Sequence, residues 1–317
     1  MKKRLAAVLL IFLASPIGPV YGQFEPALDS LDELALSRAL LDGQQDRFGP
    51  MDSRLVEPLE QLADQLMLLG QFDDAHVLLD RAMQIGRVED GLYTETQRPL
   101  LRKKIENFAN QGNWESARES MEHLLWLYTF KSLRIDQLLI EDLLELSRMH
   151  LRAFAEDNRS WQGYHFGQSS RIRWLAIGVA QSVWGKADER LVPIIYEQLR
   201  QLHLQTVALW RGGPTSYSLR RIAPGLEIMR DRSDVNENFY LTGLGLLDNL
   251  FSIYAEGESP DLKAIAMTHV YLADWHILYN KPQVAVEAYR QAYQELLAAG
   301  VDATLANEFF NQPMVIP

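Results

Sequence analysis

A glycine, an aromatic residue and an alanine recur at the same relative spacing at two places in this chain. They are Gly70, Phe72 and Ala75 in one copy, and Gly112, Trp114 and Ala117 in the other, 42 residues further along. In both copies, apolar residues at helical spacing precede the glycine and follow the aromatic residue. Because glycine readily adopts the left-handed conformation that ends a helix, this pattern predicts two antiparallel helix hairpins with tight turns.

A third copy lies near the C-terminus and departs from the pattern at two positions. Asn280 stands in place of the turn glycine, and Pro282 opens the second helix. Both are compatible with a hairpin, because asparagine tolerates the left-handed conformation and proline suits the first position of a helix. The small and aromatic residues around this turn are Ala273, Ala285, Tyr289 and Ala292.

Together these hairpins resemble tetratricopeptide repeats, a family of helix–turn–helix units in which small residues lie where the helices cross. The matching residues are Ala63, Gly70, Phe72, Ala75, Leu79 and Ala82 in the first copy, Gly112, Trp114, Ala117 and Met121 in the second, and Ala273, Ala285, Tyr289 and Ala292 in the third. Ile105 and Leu124 occupy positions where the family has small residues. The resemblance covers residues 55–130 and 260–300, and the alternative is an unrelated helical bundle with similar hairpins. It implies an all-α fold, an α-solenoid of stacked antiparallel hairpins forming a TPR-like superhelix.

The sequence divides into six segments. We expect a signal peptide over residues 1–22, a partly helical segment over 23–54, two hairpins over 55–130, an irregular helical middle over 131–258, a third hairpin over 259–300, and a short helix with an extended tail over 301–317. In the middle, apolar periodicity predicts helices over residues 138–154, 172–184, 191–210 and 241–255. Polar residues and glycines over 157–168 and 211–234 predict the two longest loops.

The first 22 residues have the features of an export signal. Lys2, Lys3 and Arg4 precede an apolar stretch over residues 5–14, and Val20 and Gly22 are small enough for a signal-peptidase site. An uncleaved anchor helix is the alternative, although the apolar stretch is shorter than a membrane span requires. We therefore expect an exported protein, in the periplasm of a Gram-negative bacterium, with no transmembrane span after cleavage.

The amino-acid composition of the chain argues against several classes of function. The formal net charge of −11 argues against a nucleic-acid binder, which needs a basic face. Cysteine is absent, so disulfides and thiolate chemistry are excluded. The seven histidines contain no H-E-x-x-H pattern, and Gly243 with Gly245 forms a lone G-x-G that we attribute to close helix packing. We predict no catalytic residue, no metal site and no cofactor.

Two groups of residues are candidates for binding a partner. Arg211, Tyr217, Arg220 and Arg221 lie in the arginine-rich stretch 211–232, which could bind a carboxylate, a phosphate or an acidic tail. The alternative is a solvated loop that pairs with nearby acidic residues. Trp161 and Tyr164 could anchor a partner, but we favour the alternative that they fill a gap between helical layers.

The function that the resemblance implies is a non-catalytic scaffold or adaptor that binds a protein or peptide partner in the bacterial cell envelope. One alternative is a periplasmic binder of a small anionic ligand, using the 211–232 stretch. Another is a peptidoglycan-acting enzyme with a site in the middle segment, where Glu141, Asp142, Glu145 and Asp157 are available as carboxylates.

Overall fold

The computed structural model describes residues 28–92, 94–130, 134–211, 232–256 and 260–311. Within these ranges the chain forms α-helices and short 3₁₀ turns and has no strand, which confirms the predicted all-α class. The helices are α1 Leu28–Phe48, α2 Val56–Leu68, α3 Phe72–Asp90, α4 Gln97–Asn110, α5 Trp114–Phe130, α6 Gln137–Glu156, α7 Gln162–Trp184, α8 Leu191–Arg211, α9 Arg232–Glu256, α10 Leu262–Leu278, α11 Pro282–Ala298 and α12 Ala303–Asn311. The chain separates into two compact units, residues 1–89 and 90–317, and each is described by itself.

The first unit contains α1, α2 and most of α3. Apolar side chains such as Leu59 and Leu79 are fully buried, as the helical spacing of leucine and alanine in this segment predicts. The Arg81 guanidinium donates hydrogen bonds to the Gln45 side chain at 3.0 Å and to the Pro50 carbonyl at 2.9 Å. This side chain therefore links α3 to the end of α1 and to the turn that follows it.

In the second unit each helix from α4 to α12 packs against the next helix in the chain. A cluster of buried apolar residues in this unit joins α6 to α10 and includes Ile195, Leu250 and Trp275, all nearly or fully buried. Most of the helical stability must come from this burial, since isolated helices of such lengths are marginal in water.

The predicted loop over residues 157–168 was wrong. A single 3₁₀ turn, Arg159–Trp161, follows α6, and α7 begins at Gln162 rather than at residue 172. Gly163 and Gly167 suggested a loop because glycine weakens an isolated helix. Both are buried inside α7, where packing between helices overrides the local propensity.

Gly243 marks a place where two helices approach closely. A Cβ atom added to Gly243 of α9 would lie 2.1 Å from the indole of Trp275 in α10, so only glycine fits there. The Trp275 Nε1–H donates a hydrogen bond to the Tyr240 carbonyl at 3.0 Å, which fixes the indole against α9. This agrees with our interpretation of the lone G-x-G as a packing feature. Gly245 has open space around it.

Three of our sequence predictions lie outside the described residues. These are the signal peptide over residues 1–22, most of the 211–234 loop and the extended tail over 312–317. Among the helices that the structure does describe, none is both long enough and apolar enough to cross a lipid bilayer.

Candidate functional site

The three predicted turns have the same backbone geometry. Gly70, Gly112 and Asn280 adopt left-handed φ angles of 72°, 77° and 58°. In each turn the N–H of the next residue donates a 2.8 Å hydrogen bond to the carbonyl five positions earlier, as Gln71 does to Leu66. This is the Schellman arrangement, which satisfies carbonyl groups at a helix end.

A fourth turn of the same type follows α11. Gly300 has a φ angle of 80°, and the Val301 N–H donates to the Leu296 carbonyl at 3.0 Å. This turn joins one hairpin to the next helix, whereas the other three lie inside hairpins. The same local chemistry therefore ends helices at both kinds of junction.

The small residues beside the predicted turns are buried without exception. Those with no exposed surface are Ala63, Ala75, Ala82, Ala117, Ala273, Ala285 and Ala292. Trp114 is buried, while Phe72 and Tyr289 are half-buried. Ile105 and Leu124, the large residues that depart from the family pattern, are also buried. Of the residues that we assigned to packing, the alanines and Trp114 thus lie in the interior of their units, whereas the turn residues Gly70 and Gly112 are exposed.

Besides the packing of each helix on the next, two side-chain hydrogen bonds join like helices of neighbouring hairpins. Arg152 of α6 donates a 3.0 Å hydrogen bond to the side chain of Asn110 in α4. Tyr164 of α7 donates a 2.7 Å hydrogen bond to Glu122 of α5. The residues in each pair are 42 positions apart, so the α4–α5 and α6–α7 hairpins lie side by side in parallel register.

Side chains of like helices are also hydrogen-bonded further along the second unit. The hydroxyls of Thr206 in α8 and Tyr279 in α10 are 2.6 Å apart, and Gln181 of α7 donates to Asn249 of α9 at 3.0 Å. We call α4, α6, α8 and α10 the first helices, and α5, α7, α9 and α11 the second helices.

Asp142 joins two first helices through a buried ion pair. Its side chain is 1% exposed and accepts hydrogen bonds from the guanidiniums of Arg98 and Arg102, the latter at 2.5 Å. Burial alone would lower the pKa of Arg98, but its contacts with Asp142 outweigh this and raise it. The structure thus distinguishes Asp142 from the other carboxylates of the middle segment, and places it between α4 and α6.

Asp157 belongs to a second buried cluster, which the sequence did not reveal. The Asp157 carboxylate accepts hydrogen bonds from the Arg118 guanidinium and from Nε2 of His165, the latter at 2.9 Å. Nδ1 of His165 lies 3.0 Å from Nδ1 of His150. His150 and His165 are 15 positions apart on different helices, so no local motif could have identified the pair.

The electrostatics of this cluster keep its imidazoles neutral. Burial lowers the pKa of His165 despite the neighbouring Asp157, and burial together with His165 holds the pKa of His150 far below its usual range. Burial raises the pKa of Asp157, but hydrogen bonds from His165, from the Asn158 N–H and from Arg118 outweigh it, and the pKa is lowered. We call Arg118, His150, Asp157 and His165 the histidine cluster.

Trp161 and Tyr164, two of the predicted partner-binding residues, pack beside this cluster. The Arg118 guanidinium lies 4.2 Å from the centre of the Trp161 ring, and the rings of Trp161 and Tyr164 meet edge to face at 5.6 Å. Both residues are half-buried between α5 and α7. Their contacts match the gap-filling alternative more closely than that of a free aromatic anchor.

Of the predicted partner-binding residues in the 211–232 stretch, the structure describes Arg211 alone. Arg211 is exposed at the last position of α8. Tyr217, Arg220 and Arg221 lie outside the described residues.

An exposed charged stripe runs along two neighbouring first helices. It comprises Glu145 and Arg148 on α6, and Glu197, Arg200 and Leu204 on α8. In each helix the acidic and basic residues form an ion pair three positions apart, and all four side chains are at least 45% exposed. Leu204 is 44% exposed.

One buried guanidinium, that of Arg173, lies near both halves of this stripe. Arg173 of α7 is buried and donates hydrogen bonds to the side chain of Gln201 and, at 3.4 Å, to the backbone carbonyl of Glu197. Burial lowers the pKa of Arg173, and the positive charges of Arg148 and Arg200 lower it further, against the effect of Glu197. Ser169 of α7 is hydrogen-bonded to Ser147 of α6 at 3.0 Å and to Gln201 of α8 at 3.4 Å, so the parts of α6 and α8 that carry these charges meet the same part of α7 and make up one group of exposed charged residues. We call it the first-helix stripe.

Comparisons with known proteins leave the family open. No protein-family model matches the chain, and no curated protein matches it. Among solved structures the chain is similar to one described as "Crystal structure of BtubC (BKLC) from P. vanneervenii", with 14% sequence identity and a TM-score of 0.39 over 90% of this chain and 93% of that chain. That TM-score is too low to establish a shared fold.

Proposed function

We propose that this protein is a non-catalytic TPR-like scaffold or adaptor that binds a protein partner in the bacterial cell envelope after export to the periplasm. The observation that carries the proposal is the parallel register between neighbouring hairpins, seen in the contacts Asn110–Arg152 and Glu122–Tyr164. Helix hairpins that stack in this way form an α-solenoid, and such a stack offers an extended surface along its first helices.

The first-helix stripe is the surface that we assign to the partner. Its ion pairs, such as Glu145 with Arg148, are exposed and contribute little to stability, so their charges are available to a bound chain at small cost. The stripe carries both positive and negative charges, and the exposed side chain of Leu204 adds apolar surface. An extended segment with charged and apolar side chains fits such a surface, and charge pairing at its edge would raise the association rate.

The test is capture of partners from the cell envelope by crosslinking, read by mass spectrometry. The informative variant reverses two charges of the stripe, Arg148→Glu with Arg200→Glu. Arg290→Glu is the matched control, because Arg290 is paired with Glu287 three positions away and is 59% exposed, but lies on the second helix α11. We expect one specific protein to be captured by the native chain and by the control, and to be lost with the double variant.

The alternatives predict other outcomes. A small anionic ligand held by the 211–232 stretch would depend on Arg220 and Arg221, and replacing both with alanine would abolish its retention. A peptidoglycan-acting enzyme would retain glycan strands instead of a protein. Capture that is identical in the native chain and in the Arg148→Glu/Arg200→Glu variant would contradict our assignment of the surface.

A further inference from the structure

The histidine cluster lies where two neighbouring hairpins meet. Arg118 comes from α5 of one hairpin, while His150 of α6 and His165 of α7 come from the next. Asp157 belongs to the connection between α6 and α7, and its side chain is 5% exposed. Asp157 is bonded to Arg118 of the first hairpin and to His165 of the second, and the Arg118 guanidinium also lies over the Trp161 ring.

The hydrogen bonds of the cluster fix the positions of its protons. A carboxylate only accepts, so Nε2 of His165 carries the proton that it shares with Asp157. In the neutral ring Nδ1 of His165 is then an acceptor, and the proton between the rings belongs to Nδ1 of His150. One extra proton can be accommodated if His165 becomes the donor. A second extra proton leaves two N–H groups facing each other at 3.0 Å.

The groups around the imidazoles disfavour positive charge. Arg118 of α5 brings a guanidinium to the same carboxylate, and ring centres of His150 and His165 are only 5.2 Å apart. Glu122 of α5 accepts a hydrogen bond from the Tyr164 hydroxyl. Burial is the larger cause that raises the pKa of Tyr164 and Glu122 is the second, so this tyrosine stays neutral. Arg171 of α7 is the further charge near Tyr164. Asp157 is the one carboxylate bonded to either imidazole in the described contacts.

We propose that the histidine cluster is an acid-sensitive latch between the α4–α5 and α6–α7 hairpins, which opens when both imidazoles become protonated. In the open state Asp157 and Trp161 lose their fixed positions against Arg118, so the register between the hairpins is no longer held at this point. The inference goes beyond the proposed function, because it concerns a response to pH and not the identity of a partner.

The sign and size of the response follow from linkage. Both histidines have folded-state pKa values below the ordinary value of about 6.5, so their contribution to the closed state is present at neutral pH and is lost as pH falls. If His150, whose pKa lies far below its ordinary range in the closed state, recovers an ordinary pKa on opening, acidification from about pH 7.5 to about pH 5.5 favours opening by about 10-fold, and His165, whose pKa is lowered, adds to this in the same direction. Asp157 stays ionised over this interval because its pKa is lowered.

Hydrogen exchange of the full chain, measured by mass spectrometry at those two pH values, tests the latch. After correction for intrinsic exchange rates, we expect peptides covering residues 150–166 to lose about 10-fold protection or more on acidification. His150→Asn retains an N–H donor near the position of Nδ1 but cannot take up a proton, and should reduce the loss by about 10-fold. His123→Gln, a half-exposed histidine of α5, is the control and should retain the full loss.

Protection that does not fall with pH, or that falls equally in the native chain and in His150→Asn, would overturn the latch. Should His150→Asn not fold, nitrogen-15 spectra of the native imidazoles decide the question. At about pH 6 the His150 ring should remain neutral with its proton on Nδ1, and His165 should be protonated at Nε2 and carry less positive charge than an ordinary histidine, which is mostly charged. Titration of both rings near an ordinary pKa would overturn the proposal.

Discussion

The Arg152 guanidinium of α6 donates a 3.0 Å hydrogen bond to Asn110 of α4, which lies 42 positions earlier in the chain. The same interval separates the turn residues Gly70 and Gly112. The period that the sequence shows as turn spacing is therefore also the register in which the α4–α5 and α6–α7 hairpins pack. A mutation at such a contact tests the stacking of hairpins, while a mutation at a turn or crossing tests a single hairpin.

Ala117→Leu tests the packing of α5. Ala117 has no exposed surface, so the larger side chain must displace its neighbours, and we expect a loss of about 1–3 kcal/mol in the free energy of unfolding. Ala298→Leu, at an exposed position of α11, is the control and should change stability little. Equal losses in chemical denaturation for the two variants would show that the register at Ala117 is wrong.

Asp142→Asn tests the link between first helices. The substitution keeps the shape of the side chain but removes the only charge that faces Arg98 and Arg102 among the described ion pairs. Because Arg98 remains buried, we expect a loss of about 3–5 kcal/mol in the free energy of unfolding. Glu145→Gln removes an exposed partner of Arg148 and should cost less than about 1 kcal/mol. A loss for Asp142→Asn as small as that of this control would contradict the account.

Gly243→Ala and Gly245→Ala should have opposite effects although they are two positions apart in α9. The added methyl group at Gly243 would collide with Trp275, so we expect destabilisation by about 1–3 kcal/mol. Gly245 has open space, and alanine there should stabilise the helix by about 0.5–1 kcal/mol. Melting temperatures that move in the same direction would contradict the packing of α9 against α10.

Asp274 gives stability a pH dependence opposite to that of the histidine cluster. Burial raises the pKa of Asp274 to about 6, against the hydrogen bond donated by Tyr289. The folded state therefore holds the proton more tightly than the unfolded state, and this contribution to stability is lost as pH rises from about 4 to about 6. Asp274→Asn should remove this loss, which unfolding measured at intervals of pH can detect. Glu287→Gln, at an exposed position of α11, should leave the pH profile unchanged.

The hairpin turns could be predicted because their chemistry is local. Gly70, Gly112 and Asn280 each need a left-handed backbone, and few residue types supply it. The start of α7 could not be predicted in this way, because Gly163 and Gly167 weaken a helix in isolation and are compatible with it only when neighbouring helices pack against them. Local propensity favours a loop at these glycines, whereas packing between helices favours a helix, and the helix forms.

The histidine cluster and the first-helix stripe could not be predicted for a different reason. His150 and His165 meet only because α6 and α7 pack in one particular register, and the charged parts of α6 and α8 come together only because both pack against the same part of α7. The sequence contains each residue but not the register between helices. Asp157 was among the candidate carboxylates, yet nothing in its local sequence distinguished it from Glu141.

Site-specific photo-crosslinking is the most direct test of the proposal that the first helices bind a protein partner. A photoreactive amino acid would replace Leu204 on the first helix α8 or, as the matched control, Val286 on the second helix α11, which is 56% exposed. The account predicts that one envelope protein crosslinks at Leu204 and not at Val286, and that Arg148→Glu with Arg200→Glu abolishes the crosslink. Crosslinking at Val286 alone, or no protein crosslinked from either position, would contradict it.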